Sequence, residues 1–252
     1  MMAGILKSNT RKILIYGLVG LLAMMSFSFQ KKTTIYIIGD STAANKKPQA
    51  YPEIGWGMEL QSFFKNSVVV DNRALNGRST KSFLNENQWK PITEKLQPGD
   101  YVFIEFGHND EKIDRPAIGT SLTEFKANLV KYVLETRDKQ AIPVLLTPIS
   151  RRSFKDGKLV DTHGGYPNAT RQVADSLKVP LIDMLFKTEN LLNQLGDKSS
   201  IKLFNYVDSG HVNYPTGKKD DTHLSPDGAK TIAGLVVEGV KELMLSLAKK
   251  LK

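Results

Sequence analysis

The sequence predicts an α/β domain built on a parallel sheet with helices on both faces. Two observations carry that prediction. Five short apolar runs recur along the chain, and segments with apolar residues at three- and four-residue spacing lie between them. A third observation sets the domain count. No internal repeat, Pro/Gly/Ser-rich linker or compositional break interrupts the alternation, so residues 31–252 read as one domain.

Residues 1–30 read as an export signal ahead of that domain. Lys7, Arg11 and Lys12 give a basic start, and Ile13 to Phe29 runs 17 residues without a charge. Ser26 and Ser28 are small enough to place a cleavage near Phe29. At this length, retention as an anchor is the alternative. The expected location is therefore the periplasm or the outside, with no membrane attachment once the signal is cut.

The first strand is Thr33 to Ile38 (TTIYII), β-branched and apolar. Val68 to Val70 is the second, Tyr101 to Phe106 the third, Ile142 to Leu146 the fourth and Val179 to Ile182 the fifth. Leu122, Phe125, Leu129, Val133 and Leu134 mark a helix, with Thr120 or Ser121 as its cap. The last helix starts at Ser225-Pro226, Ser as cap and Pro in the first turn. Its apolar face runs through Leu235, Val236, Val240, Leu243 and Leu247, and Lys249, Lys250 and Lys252 read as its solvated end.

Composition removes several chemistries. The 252 residues are 40% hydrophobic and 24% charged, as in an ordinary globular protein. There is no cysteine, which excludes disulfides, Cys-based zinc sites, iron–sulfur clusters, a cysteine nucleophile and a lipid-anchor acceptor. The chain carries +9, and residues 1–30 hold three cations and no acid, so the remainder carries +6. That excess suits an acidic polymer. Nucleic acid is not an expected partner, because no Lys/Arg stripe with interleaved aromatics appears.

In an open parallel sheet, ligands bind beyond the carboxyl ends of the strands. Here those ends carry Gly39-Asp40-Ser41-Thr42, then Asn76-Gly77-Arg78-Ser79, Gly107-His108-Asn109-Asp110 and Ser150-Arg151-Arg152. Asp220-Asp221-Thr222-His223 precedes the last helix. A serine hydroxyl needs a base, and the base needs an acid to fix its tautomer. Ser41, His223 and Asp220 can supply that set, since residues three apart in a turn can share one side. An oxyanion needs preorganised donors. The backbone N–H groups of Ser41 and Gly77 and the side-chain amide of Asn109 are the candidates.

The blocks GDS, NGRS, GHND and DxxH together resemble the SGNH (GDSL-type) hydrolases. IYIIGDSTAA, IGWGMEL, NRALNGRS, FIEFGHND, TPISRR, VDTHGGYPNATRQVA and DDTHLSPDG are similar, more narrowly, to the rhamnogalacturonan acetylesterases of that superfamily. The resemblance spans roughly Thr34 to Val240. It implies a flavodoxin-like three-layer α/β/α sandwich with a five-stranded parallel sheet. It implies Ser41 as nucleophile, His223 as base, Asp220 as its orienter, and Ser41, Gly77 and Asn109 as oxyanion hole. It implies no metal or organic cofactor. Thr42 stands where many relatives have leucine. The expected reaction removes O-acetyl groups from acetylated rhamnogalacturonan through an acetyl-enzyme. Alternatives are another acetylated glycan such as xylan, a lipid or thioester, or a catalytically idle glycan binder.

Plainer roles compete at several positions. Ser41 alone would read as a helix cap, Asp110 as a structural partner, and Trp56 and Phe63 as core. The glycines around Trp56 suggest close packing near Ser41. Arg78, Arg151, Arg152 and His163 are candidate substrate contacts, the arginines for a uronate carboxylate. Salt bridging is the competing role for those arginines.

Overall fold

Side chains alternate between the two faces of a strand, and here both faces are apolar. Ile35 and Ile37 pack into one core with Phe103, Val144 and Leu146, while Tyr36 and Ile38 pack into another with Val102, Ile104 and Leu145. In the computed structural model, which describes residues 32–252, these strands are β1 (Thr33–Gly39), β2 (Val68–Asn72), β3 (Tyr101–Glu105) and β4 (Ile142–Leu146). A two-stranded hairpin follows, β5 (Phe154–Lys155) and β6 (Lys158–Leu159), and then β7 (Leu181–Ile182). The sheet order is β2-β1-β3-β4-β7, with every pairing parallel. The parallel sheet is as the alternation predicts, and its order is the flavodoxin-like one that the resemblance implies. Residues 1–30, read as an export signal, lie outside the described residues.

The first core is covered by α1 (Trp56–Glu59), by the helix Met184–Ser200 and by the last helix, Pro226–Glu242. The second is covered by the helices Thr80–Asn85, Leu122–Asp138 and Tyr166–Leu177. Ser121 caps the Leu122 helix by accepting from Glu124 N, and Ser225 caps the last helix by accepting from Gly228 N. Residues Thr33–Lys252 form one compact unit.

Two boundaries differ from expectation, each for a local reason. β7 begins at Leu181 because Val179 N–H closes the preceding helix on Ala174 O and Pro180 has no N–H to give. The last helix stops at Glu242, where Met244 takes φ +49°, and Leu247 reaches the core from a separate 3-10 turn, Ser246–Lys250. Lys249 and Lys250 therefore end this 3-10 turn and not the long helix. Lys250 Nζ donates to Thr33 Oγ1 at the start of β1.

Close packing around Trp56 is as expected. A Cβ on Gly55 would lie 2.2 Å from Ala44 O, and one on Gly57 would lie 2.5 Å from Asn72 Nδ2. The segment after Ser41 thus rests directly on this backbone. Trp56 itself is fully buried, and its Nε1 donates to Glu105 Oε2 at 2.9 Å.

Candidate active site

The sheet order reverses direction at β1, since β2 lies on one side and β3 on the other. Such a reversal opens a crevice at the carboxyl ends of the two central strands. The loops after β1, β2 and β3 meet there, and local bonds fix each. Asp40 Oδ1 accepts from Thr42 N (3.0 Å) and Thr42 Oγ1 (2.9 Å), folding a tight turn that presents Ser41. Arg73 N and Leu75 N donate to Ile37 O and Gly39 O, tying the loop after β2 to the end of β1. Asp110 accepts from Thr80 N and Oγ1 and from Thr120 Oγ1, the structural role expected of it, and burial pushes its pKa up to about 7. The DDTH loop is held by Asn205 N donating to His223 O and by pairing of Leu224 with Ile54 and Phe204.

These constraints bring residues 182 apart into line. Ser41 Oγ lies 3.0 Å from His223 Nε2, and His223 Nδ1 lies 2.8 Å from Asp220 Oδ2. The other oxygen, Asp220 Oδ1, accepts from Thr222 N (2.9 Å) and His223 N (3.0 Å). Burial would raise the Asp220 pKa, but the bonds from the His223 ring and from backbone N–H groups outweigh it and hold the carboxyl well below its usual range. An ionised Asp220 takes the proton-bearing Nδ1, so Nε2 keeps its lone pair for the Ser41 hydroxyl. Asp221 points elsewhere, to Tyr206 Oη and Arg152.

The predicted oxyanion donors converge on the same cleft, an open space of about 530 Å³ lined by Ser41, Gly77, Asn109 and His223 among others. Gly77 sits at φ +74°, a conformation that L side chains rarely adopt, and a Cβ there would meet nothing within 4 Å. Among the described residues no acceptor bonds Ser41 N–H or Gly77 N–H. Asn109 Nδ2 donates to Arg78 O at 3.1 Å, and Lys112 Nζ donates to Asn109 Oδ1 at 2.6 Å. An ammonium can only donate, so this bond fixes which end of the amide is the oxygen. With one Nδ2 proton on Arg78 O, the other is free for a ligand. Asn109→Ala removes one of the three predicted donors. The expected result is a kcat lower by about 10²–10³-fold with KM little changed. Steady-state kinetics on a nitrophenyl acetate check it, and a loss confined to KM would contradict the assignment.

Two residues that the motifs did not single out brace the site, Glu53 in its lining and Lys46 behind Ser41. Lys46 has its side chain only 2% exposed, and its Nζ contacts Ser41 O (2.6 Å), Asn76 Oδ1 (2.7 Å) and Glu53 Oε1 (2.8 Å). It therefore ties the Ser41 turn to the residue before Gly77. Glu53 comes near the triad as well, since its carboxylate, that of Asp220 and a His223 ring nitrogen lie within 4.8 Å of one another. The three are already joined to Lys46, to backbone N–H groups and to Ser41.

The four predicted substrate contacts fare unevenly. Arg151 lines the cleft but is ion-paired with Glu111. Arg78 pairs with Glu86 at 2.8 Å and lines the neighbouring hollow, which shares Asn76 with this cleft. Arg152 is bound by Asp197 and Asp221 and is outside the cleft lining. His163 is 2% exposed, with Nδ1 3.0 Å from Glu111 Oε2 and Nε2 2.9 Å from Ile149 O, so its ring braces the Arg151–Glu111 pair from behind. For these arginines the competing salt-bridge role is what the geometry displays.

Beneath the cleft lie further buried titratable groups. His108 is 2% exposed, with Nδ1 3.3 Å from Asp40 Oδ2; burial pulls its pKa down to about 4 despite the pull of Asp40. Glu105 is fully buried. Burial, and then the charge of Asp40, push its pKa up to about 8, against bonds from Trp56, Ile149 N and Thr42. The Thr42 hydroxyl lies within hydrogen-bond distance of both carboxylates, 2.9 Å from Asp40 Oδ1 and 3.1 Å from Glu105 Oε2, and its single proton serves one of them at a time. A proton retained by folded Glu105 but lost by the unfolded chain makes stability fall as pH rises from about 4.5 to about 8. The thermal midpoint of wild type relative to Glu105→Gln should decline across that window and run parallel above it. A constant difference would contradict an elevated Glu105.

A parallel α/β/α sandwich with a hydrogen-bonded Ser–His–Asp line and converging N–H donors defines a serine-type carboxylic ester hydrolase. The chain belongs to the GDSL-like Lipase/Acylhydrolase family, which it matches over residues 37–231. It is 39% identical to the rhamnogalacturonan acetylesterase RhgT of Bacillus subtilis, over 86% of this chain and 94% of that protein. Among solved structures, it resembles protein YxiM of Bacillus subtilis with TM-score 0.74 and 26% identity, over 85% of this chain and 58% of that longer one. The acetylxylan esterase Axe2 of Geobacillus stearothermophilus shares the fold, with TM-score 0.58 and 19% identity over 87% of this chain and 98% of that one.

Proposed function

We propose that the chain removes O-acetyl groups from an acetylated pectin of the rhamnogalacturonan type. The chemistry rests on one observation, the unbroken line from Ser41 Oγ through His223 to Asp220. The substrate rests on the likeness to a relative named for that activity.

Ser41 Oγ attacks the acetyl carbonyl carbon while its proton passes to His223 Nε2. The carbonyl oxygen gains the negative charge and takes hydrogen bonds from Ser41 N, Gly77 N and Asn109 Nδ2. Collapse breaks the bond to the sugar oxygen, which leaves with the proton from His223, and Ser41 holds the acetyl group. Water then attacks, gives its proton to His223, and acetate departs as Ser41 recovers its hydrogen. Asp220 stays ionised throughout and steadies the transient imidazolium.

Acetate release from acetylated rhamnogalacturonan and from acetylxylan tests the reading. A kcat/KM on the first about tenfold higher or more is expected. Release from the neutral polymer alone would overturn it. Residues 1–30 would direct the protein to the periplasm or beyond, so the recovered chain should begin near Phe29. Mass spectrometry of secreted material, with Met1 still present, would contradict that.

A further inference from the structure

A polymer that carries carboxylates needs a cation free to meet one, and the three predicted arginines are already matched. Arg78 faces Glu86, Arg151 faces Glu111, and Arg152 faces Asp197 and Asp221. Lys46, behind Ser41, faces Glu53. Of the side chains lining the cleft, the lysine and arginine cations are Arg151 and Lys112. Among the described residues, no carboxylate lies within ion-pair distance of Lys112. Among the described residues its Nζ makes one side-chain hydrogen bond, to Asn109 Oδ1, and an ammonium has three N–H donors.

We infer that Lys112 is a specificity-determining residue that binds a carboxylate of the substrate beside the acetyl group under attack. This deepens the reading of an acidic, acetylated glycan and rests on it. The spacing fits. Lys112 Nζ is one hydrogen bond from the oxygen of the Asn109 amide, and the acetyl oxygen is held one hydrogen bond from its nitrogen. Two bonds of about 3 Å and the width of an amide lie within the reach of one sugar ring and its substituents. A uronate's acid and an acetyl ester on the same or the next sugar can thus engage the two ends of one amide-linked pair. The cleft is open, so solvent weakens the contact, yet Lys112 meets no competing internal anion. The same ammonium also holds the Asn109 amide in its donating orientation. Lys112 therefore links recognition of the acid to the placing of an oxyanion donor.

The two roles separate in a ratio. Wild type, Lys112→Gln and Lys112→Arg are compared on acetylated rhamnogalacturonan and on acetylxylan, each as kcat/KM at low and at about 0.5 M salt. Loss of the Asn109 bond lowers both activities together, so it cancels between polymers. Lys112→Gln is expected to lower the acidic-to-neutral ratio about tenfold, mainly through KM on the acidic polymer, and to weaken its salt dependence. Lys112→Arg is expected to keep most of the ratio, since the charge remains. Equal losses on both polymers, or an unchanged ratio and salt dependence, would overturn the inference. A wild type that shows no preference for the acidic polymer defeats the underlying reading instead, before any variant is considered.

Discussion

Ser41→Ala is expected to lower kcat on a nitrophenyl acetate by about 10⁶-fold, and His223→Ala by a similar factor. The double variant should be no worse than either single one. The two groups act as one device: without the hydroxyl there is nothing for the imidazole to deprotonate, and without the imidazole the hydroxyl stays a weak nucleophile. What remains, about 10³–10⁴-fold over water, comes from the N–H groups of Ser41 and Gly77, the amide of Asn109, and binding. The fold should survive the first substitution. Ser41 Oγ makes its hydrogen bond to His223 Nε2, while Lys46 holds the Ser41 backbone carbonyl, which alanine keeps. Melting within about 1 kcal/mol of wild type is therefore expected. Turnover by Ser41→Ala within tenfold of wild type would remove Ser41 from the reaction.

The parts of this site that the sequence revealed are those that sit at the ends of regular elements. Each block follows a strand or precedes a helix whose apolar pattern is plain, so its place at the carboxyl edge of the sheet follows from the topology. Ser41, Gly77 and Asn109 were legible in that way. Asp220 and His223 were legible through their spacing, because three residues of turn bring one carboxylate to one ring. The residues that act through partners were not legible. Lys46 and Glu53 lie in the irregular stretch between β1 and α1, and only the folded chain brings them together. Lys112 follows the GHND block by two residues, but nothing in its neighbours tells that it lacks an acid. The arginines illustrate the converse. Their position after strands was right for a rim, but their acids come from distant segments: Glu111 for Arg151, Asp197 and Asp221 for Arg152. Net charge states how many cations exceed acids. It does not state which cations are left unmatched.

Asp220→Asn is expected to cost about 10⁴-fold in kcat while leaving the overall geometry in place. The reason lies in what surrounds the two carboxylate oxygens. Oδ1 faces two backbone N–H groups, Thr222 and His223, and Oδ2 faces the ring nitrogen Nδ1, with Lys218 Nζ at 3.4 Å. An asparagine must put its NH₂ at one of these positions. Turned toward the backbone, it would set donors against two donors. Turned toward the ring, it meets Nδ1, which can accept if the histidine changes tautomer, and the exposed Lys218 ammonium, which can turn to solvent instead. The second arrangement leaves more groups paired, so it wins. The ring proton then sits on Nε2 and points at Ser41 Oγ, where a lone pair is needed. The variant thus holds a histidine in place with its proton on the wrong side. Stability carries an independent signature. The Asp220 pKa is depressed in the folded chain, so its contribution is fully present above the unfolded value near 3.8 and is lost as pH falls toward the folded one. The melting difference between wild type and Asp220→Asn should be constant at neutral pH and should shrink in acid below about pH 4. A variant as active as wild type at neutral pH, or a melting difference that grows in acid, would mean that Asp220 does not orient the histidine as an ionised partner.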